Sequence, residues 1–132
     1  MAPLESSPWM LAAALFNGAF ALFHLTFWPL FGWPGTLLGS GSVNRSLTQL
    51  LNLALTYFFV LAAALIFLYP AELATTAVGR FWLVAMAGFW LARAIVQPVF
   101  FSLRNWLAFT YTLIFIAGAA VHGMAWLQSH DL

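Results

Sequence analysis

The amino-acid sequence predicts an all-α integral membrane protein whose four transmembrane helices form an up-and-down bundle. Three observations indicate this fold class. Of the 132 residues, 64% are hydrophobic and only 5% are charged, whereas a soluble domain carries about 25% charged residues. The apolar residues fall into four stretches, each near the roughly 20 residues that a helix needs to cross the hydrocarbon core. Tryptophans, which favour the headgroup region, lie near the ends of these stretches: Trp9, Trp28, Trp33, Trp106 and Trp126.

The first two predicted helices are the most regular. The first runs from about Trp9 to Phe31 and is entered through Pro8, a residue suited to the first helical turn. Glu5 precedes it without any Lys or Arg, whereas a secretory signal begins with a basic region and has a shorter apolar core. We therefore expect a retained helix. The second runs from about Leu47 to Tyr69 and ends before Pro70, which cannot continue the helix.

The third and fourth predicted helices complete the bundle. The third runs from about Thr76 to Phe101, and the fourth from about Trp106 to Leu127. The third is the most polar of the four, and it contains Arg80, Arg93, Gln97 and Pro98. We interpret residues 1–132 as a single transmembrane domain.

The connection between the first two helices, Pro29–Ser42, has an unusual composition. Its prolines and glycines disfavour a long helix, yet its first half is apolar. A loop that lies in the membrane interface fits this pattern. A re-entrant turn is the alternative, and it requires protein to cover its backbone, because an unsatisfied amide or carbonyl in lipid costs several kcal/mol.

Four spans place both chain ends on one side of the membrane. The opposite side holds the first and third connections, with Arg45 and Arg104. Arg80 lies on the side of the termini, as do the three acidic residues, Glu5, Glu72 and Asp131. Because cytoplasmic loops are enriched in Lys and Arg, we expect the side with Arg45 and Arg104 to be cytoplasmic and the termini non-cytoplasmic, in a bacterial inner membrane.

Polar residues recur at helical spacing within the predicted spans. The second helix carries a stripe of residues three or four apart, namely Arg45, Gln49, Asn52 and Thr56. In an antiparallel bundle, this stripe, the end of the first helix and the end of the third all lie in the same half of the membrane. We therefore predict a polar ligand-binding pocket there, lined by Asn17, His24, Arg45, Gln49, Asn52, Arg93, Gln97 and Asn105.

Arg93 is the most informative member of this set, because no carboxylate accompanies it. A charge in the middle of a span costs about 2.5–3.5 kcal/mol on insertion scales. The Arg93 headgroup could extend past Gln97 to the interface, or it could bond to Gln49, Asn52, Gln97 and backbone carbonyls. It could also bind an exogenous anion, since a guanidinium fits carboxylate or phosphate.

The other polar residues can have purely structural roles. The stripe can bond one helix to another instead of lining a site. His24 can be a hydrogen-bonded interior residue, although a proton carrier or a metal or haem ligand is the alternative. A haem held by two histidines of one chain is disfavoured, because His24 and His122 lie toward opposite ends of the bundle.

Composition excludes several classes of function. The chain has no cysteine, which rules out disulfides, thiolate catalysis, iron–sulfur clusters and cysteine zinc sites. A net charge of +1 provides no basic field for nucleic acid. No nucleophile motif, phosphate-binding loop or metal-ligand set is present, and the cofactor is left undefined.

Three functions are compatible with these observations. The favoured one is a binding or accessory subunit, whose pocket holds an amphipathic or anionic ligand such as a lipid headgroup or a quinone-like molecule. The alternative is a transporter or channel, which requires a homodimer or larger assembly because four helices rarely enclose a pathway. An enzyme with His24 as base and Arg93 as anion holder is least favoured, because no carboxylate orients His24.

Overall fold

Helices account for nearly all of the chain in the computed structural model, which describes residues 7–130 and shows no strand among them. The helices are α1 (Pro8–Leu25), α2 (Phe27–Phe31), α3 (Ser42–Leu68), α4 (Pro70–Thr75), α5 (Ala77–Phe100) and α6 (Trp106–Gln128), and a 3-10 helix covers Gly35–Ser40. Within this range, α1, α3, α5 and α6 are long and apolar enough to cross a membrane. The predicted fold class, an all-α membrane protein with four spanning helices, is confirmed. Glu5 and Asp131 lie outside the described residues.

The described chain forms two compact units. One unit covers Ala14–Leu65, which includes most of α1, the connection after it and most of α3. The other covers residues 7–13 and 66–130, which include α4, α5 and α6.

The first span is shorter than the sequence predicts, since α1 ends at Leu25 and not at Phe31. Pro29 is the reason. It has no N–H to donate to the Leu25 carbonyl, so the intrahelical ladder cannot continue. The chain turns at Thr26, and α2 starts with Pro29 in its first turn, where no N–H is needed. Gly32 ends α2 in the left-handed conformation, with a φ of 64°.

In the unit Ala14–Leu65, one face of α3 is buried from Asn52 onward. Asn52, Thr56 and Phe59 follow at intervals of four and three residues, and all three are buried. Phe59 packs against Phe20 of α1, with 5.7 Å between ring centroids. The polar stripe predicted from the sequence is therefore half-buried at Arg45 and Gln49, buried at Asn52 and Thr56, and continued by apolar residues toward the middle of α3.

In the other unit, α5 and α6 are consecutive helices that pack on each other. Residues of α5 three or four apart are buried, namely Leu83, Met86, Trp90, Ala94 and Gln97. Trp90 stacks on Phe115 of α6 with 5.9 Å between centroids. Many of the remaining large apolar side chains are exposed, as expected for helices whose outer surface contacts lipid.

The junction of α4 and α5 depends on one glycine. A Cβ atom on Gly79 would lie 2.3 Å from the Leu73 Cα and 2.5 Å from the Glu72 carbonyl oxygen. Thr76 caps α5 by accepting a hydrogen bond from the Gly79 amide at 2.9 Å. Arg80 donates to the Ala74 and Thr75 carbonyls at the end of α4, at 3.2 and 3.3 Å. The backbones are therefore too close to admit any side chain at Gly79.

We expect Gly79→Ala to destabilise the protein, because the added methyl group meets backbone atoms that cannot rotate away. Overpacking of this kind costs about 1–3 kcal/mol, which should lower the thermal unfolding midpoint in detergent, measured by tryptophan fluorescence. Gly88→Ala is the matched control, because Gly88 lies in the same helix with nothing within 4 Å of an added Cβ. Equal midpoints for the two variants would contradict the close approach of α4 and α5.

Candidate functional site

Two hydrogen bonds join His24 to Asn52 within the unit Ala14–Leu65. The Asn52 amide nitrogen Nδ2 donates to the His24 backbone carbonyl at 2.8 Å. The other end of the amide, Oδ1, lies 2.7 Å from His24 Nδ1. Because a carbonyl only accepts, the first bond fixes the orientation of the amide, and Oδ1 must then accept from Nδ1–H. Asn52 therefore selects the ring tautomer of neutral His24 in which Nε2 carries the lone pair.

Trp28 and Gln49 form a second polar link in the same unit. The Trp28 indole N–H donates to Gln49 Oε1 at 3.0 Å, and Gln49 Nε2 donates to the Arg45 carbonyl at 3.1 Å. One turn further along α3, the Thr56 hydroxyl donates to the Asn52 carbonyl at 2.9 Å. Three side chains of the stripe, those of Gln49, Asn52 and Thr56, are thus bonded to α1, α2 or the backbone of α3.

Aromatic rings restrict His24 further. Phe27 stacks on the imidazole with 4.6 Å between centroids and 26° between planes. Phe59 of α3 lies 5.4 Å from the imidazole centroid, and Phe20 and Phe23 lie 6.5 and 6.2 Å away. The imidazole is therefore held in an apolar setting as well as by Asn52.

Arg93 and Gln97 form a separate cluster in the unit that contains α5 and α6. Arg93 Nη1 donates to Gln97 Oε1 at 2.7 Å. The guanidinium carbon lies 4.6 Å from the centroid of the Phe115 ring, in a cation–π contact. Because Gln97 is one turn further along α5, the Arg93 side chain extends toward the C-terminal end of the helix. This bond is one of those in the second predicted option, in which Arg93 bonds to Gln49, Asn52, Gln97 and backbone carbonyls.

Most of the donors in this cluster have no acceptor within residues 7–130. A guanidinium carries five N–H groups, and Arg93 uses only Nη1, for Gln97, among the described residues. Its Nε–H and Nη2–H form the parallel fork that matches two oxygens of a carboxylate or phosphate. Gln97 is only 3% exposed. Its oxygen faces Nη1, so its amide N–H groups are directed elsewhere and bond to no described residue.

Phe115 is the site residue that the sequence analysis missed. It is buried beneath Arg93 and flanked by Trp90 and by Tyr111, whose centroid lies 6.4 Å away at an interplanar angle of 21°. A signal was available, because Phe115 lies four residues after Tyr111 and seven before His122, and this spacing places all three on one face of the fourth helix.

The remaining residues of interest have local roles. Asn105 caps α6, since its Oδ1 accepts from the Leu107 amide at 2.9 Å, and it does not bond to Arg93 or Gln97. Asn17 is fully buried in α1. His122 is also fully buried, and its Nδ1 lies 2.7 Å from the Gly118 carbonyl, to which it donates. Five of the eight predicted site residues therefore lie in two polar clusters, namely His24, Asn52 and Gln49 with Trp28 in one, and Arg93 and Gln97 in the other.

Comparison with known proteins identifies no relative: no protein-family model, curated protein or solved structure matches the chain.

We expect His24 and Asn52 to be energetically coupled. In a double-mutant cycle of His24→Ala, Asn52→Ala and the double variant, the coupling should be about 0.5–1.5 kcal/mol, within the range for membrane hydrogen bonds. The readout is unfolding free energy in detergent. Asn44→Ala combined with His24→Ala provides the control, since the Asn44 amide donates to the Ser40 carbonyl. Strictly additive effects of His24→Ala and Asn52→Ala would contradict the assigned Nδ1–H···Oδ1 bond.

Proposed function

We propose that this protein is a membrane binding subunit that holds the anionic end of an amphipathic molecule at Arg93 and Gln97. One observation carries the proposal. The half-buried guanidinium of Arg93 donates to Oε1 of the nearly fully buried Gln97, and most of the polar groups that remain on the two side chains are N–H donors. Because the N–H donors that remain on these two side chains outnumber the one remaining lone pair of Gln97 Oε1, the complementary ligand supplies acceptors and negative charge.

The energetics of Arg93 favour an anionic ligand over simple side-chain packing. Placing a charge within a span costs about 2.5–3.5 kcal/mol. The cation–π contact with Phe115 offsets about 0.5–2 kcal/mol of this, and the amide of Gln97 brings no countercharge. Charge-assisted bonds from the fork to an oxyanion would offset the remainder, and they are about twice as strong as bonds between neutral groups.

The position of Arg93 along α5 indicates how such a ligand would lie. Arg93 is seven residues before Phe100, the last residue of α5, which corresponds to about 10 Å along the helix axis. Its side chain extends toward that end, so the oxyanion would sit close to the headgroup region and the apolar tail would run along lipid-exposed α5 and α6. A phosphate or a carboxylate fits the same fork, and a quinone carbonyl would satisfy fewer donors.

The same proposal includes the orientation of the chain. We place the start of α3, with Arg45, and the α5–α6 connection, with Arg104, on the cytoplasmic side and both termini outside the cytoplasm, in a bacterial inner membrane, because Arg is in excess on that side.

A reporter fused after Leu132 tests this orientation. Alkaline phosphatase, which matures outside the cytoplasm, should be active in the fusion, and green fluorescent protein, which matures inside it, should be dark. The Arg45→Gln, Arg104→Gln double variant should reduce this bias. Bright fluorescence with inactive phosphatase in the unmodified chain would reverse the orientation.

Arg93→Leu tests the binding site. Native mass spectrometry in mild detergent would measure retention of phosphatidylglycerol and oleate, with diacylglycerol, which has no oxyanion, as the reference ligand. We expect retention of at least one of the two anionic probes to fall about tenfold or more in Arg93→Leu, since the fork is lost. Thermal stability should be unchanged or higher, because the variant removes a buried charge.

Two further variants separate binding from folding. Gln97→Glu places a carboxylate beside Arg93 and should block the anionic probes while keeping the guanidinium paired. Arg104→Leu removes an equal charge from the exposed α5–α6 connection and should retain them. Retention of both anionic probes by Arg93→Leu at the wild-type level would remove the proposed function.

A further inference from the structure

The segment Phe27–Ser40, between α1 and α3, has an apolar exterior without being a span. It contains α2 and the 3-10 helix Gly35–Ser40, and no residue in it is charged. Leu30, Phe31 and Leu38 expose 55%, 45% and 63% of their surfaces. A connection that lies in water normally exposes polar side chains, because solvated loops gain nothing from apolar surface.

The backbone of this segment bonds to itself. The Leu30 amide donates to the Thr26 carbonyl at 2.9 Å, and the Trp33 amide donates to the Trp28 carbonyl at 2.9 Å. The Thr36 and Leu37 amides donate to the Gly32 and Pro34 carbonyls at 3.2 and 3.0 Å. Two further positions are prolines, which have no N–H to satisfy. Helical turns of this kind remove the main obstacle to contact between a loop and lipid.

The hydroxyl groups of the segment also bond to nearby carbonyls. The Thr36 hydroxyl donates to the Phe31 carbonyl at 2.7 Å, and the Ser40 hydroxyl donates to the Leu37 carbonyl at 2.8 Å. At the edge of the segment, the Thr26 hydroxyl donates to the Phe23 carbonyl at 2.6 Å. Each of these exposed hydroxyls therefore has a partner within the chain and does not need water to supply an acceptor.

Tryptophans and phenylalanines form a ring cluster in the segment. Trp33 makes edge contacts with Phe27 and Trp28, at centroid distances of 5.8 and 5.6 Å. The Trp28 indole N–H is bonded to Gln49 of α3, which fixes the cluster to a spanning helix. Indole rings with a polar edge favour the boundary between headgroups and acyl chains.

We infer that Phe27–Ser40 lies in the interfacial layer of the bilayer, with lipid covering Leu30, Phe31 and Leu38. Lipid is the occupant because the segment continues directly from the lipid-exposed surfaces of α1 and α3, the two spans that it joins. Its internal hydrogen bonds and lack of charge match an environment that supplies neither donors nor countercharge. Neither Arg93 nor Gln97 belongs to this surface, and the inference does not depend on the proposed function.

The chain has no native cysteine, so single cysteines can locate this segment in nanodiscs, where both faces of the bilayer are accessible. Leu38→Cys should react with a water-soluble maleimide about tenfold more slowly than Glu72→Cys, because an apolar setting disfavours the thiolate. Glu72 is an exposed charged residue in α4 and is the solvated control. Reaction of Leu38→Cys at the rate of Glu72→Cys would overturn the inference.

A second measurement distinguishes lipid from protein cover. A fluorophore attached to Leu38→Cys or Leu30→Cys should be quenched most by lipids brominated near the glycerol backbone. Slow labelling without quenching would mean that protein covers the segment, and strongest quenching by bromines near the chain ends would mean a deep re-entrant turn. Either result would overturn the interfacial placement.

Discussion

The absence of hydrogen-bonding solvent inside a bilayer is the constraint on which this structure depends. A polar group in hydrocarbon must find its partner within the protein, because water cannot provide one. Threonine hydroxyls in the spans accordingly donate to the carbonyl of the preceding turn, as in Thr56, Thr110 and Thr112. The same requirement explains why His24 and Asn52 use both ends of the amide and why the Phe27–Ser40 connection is wound into helical turns.

The two polar clusters respond to this constraint differently. In the unit Ala14–Leu65, both ends of the two central amides are bonded: the Asn52 amide donates one bond to His24 and accepts one from it, and Gln49 donates to the Arg45 carbonyl and accepts from Trp28. At Arg93 and Gln97 the side chains carry more donors than the described residues accept. Matched groups stabilise helix association, whereas a surplus of donors beside a cation is the chemistry of an anion-binding site.

Sequence periodicity was sufficient to predict the spanning helices and their polar faces. A low charge content and four long apolar stretches specify spanning helices, because only a helix satisfies every backbone group in lipid without a partner. Spacing of three and four residues identified the buried face of α3 with Asn52, and it paired Arg93 with Gln97. The end of the first span was not predicted. The apolar run continues to Phe31, but α1 ends at Leu25 because Pro29 has no N–H to donate to the Leu25 carbonyl.

The sequence by itself determined that this chain is a four-span membrane protein and which helix faces are polar, since both follow from the composition and the helical period. Tertiary structure alone decided which groups meet: Phe115 beneath Arg93, Trp28 on Gln49, and the Glu72–Leu73 backbone against Gly79. Asn105, predicted to line a site, is placed as the cap of α6. The physical reason is that a period specifies the direction of a side chain from its own helix, whereas its partner depends on how neighbouring segments approach.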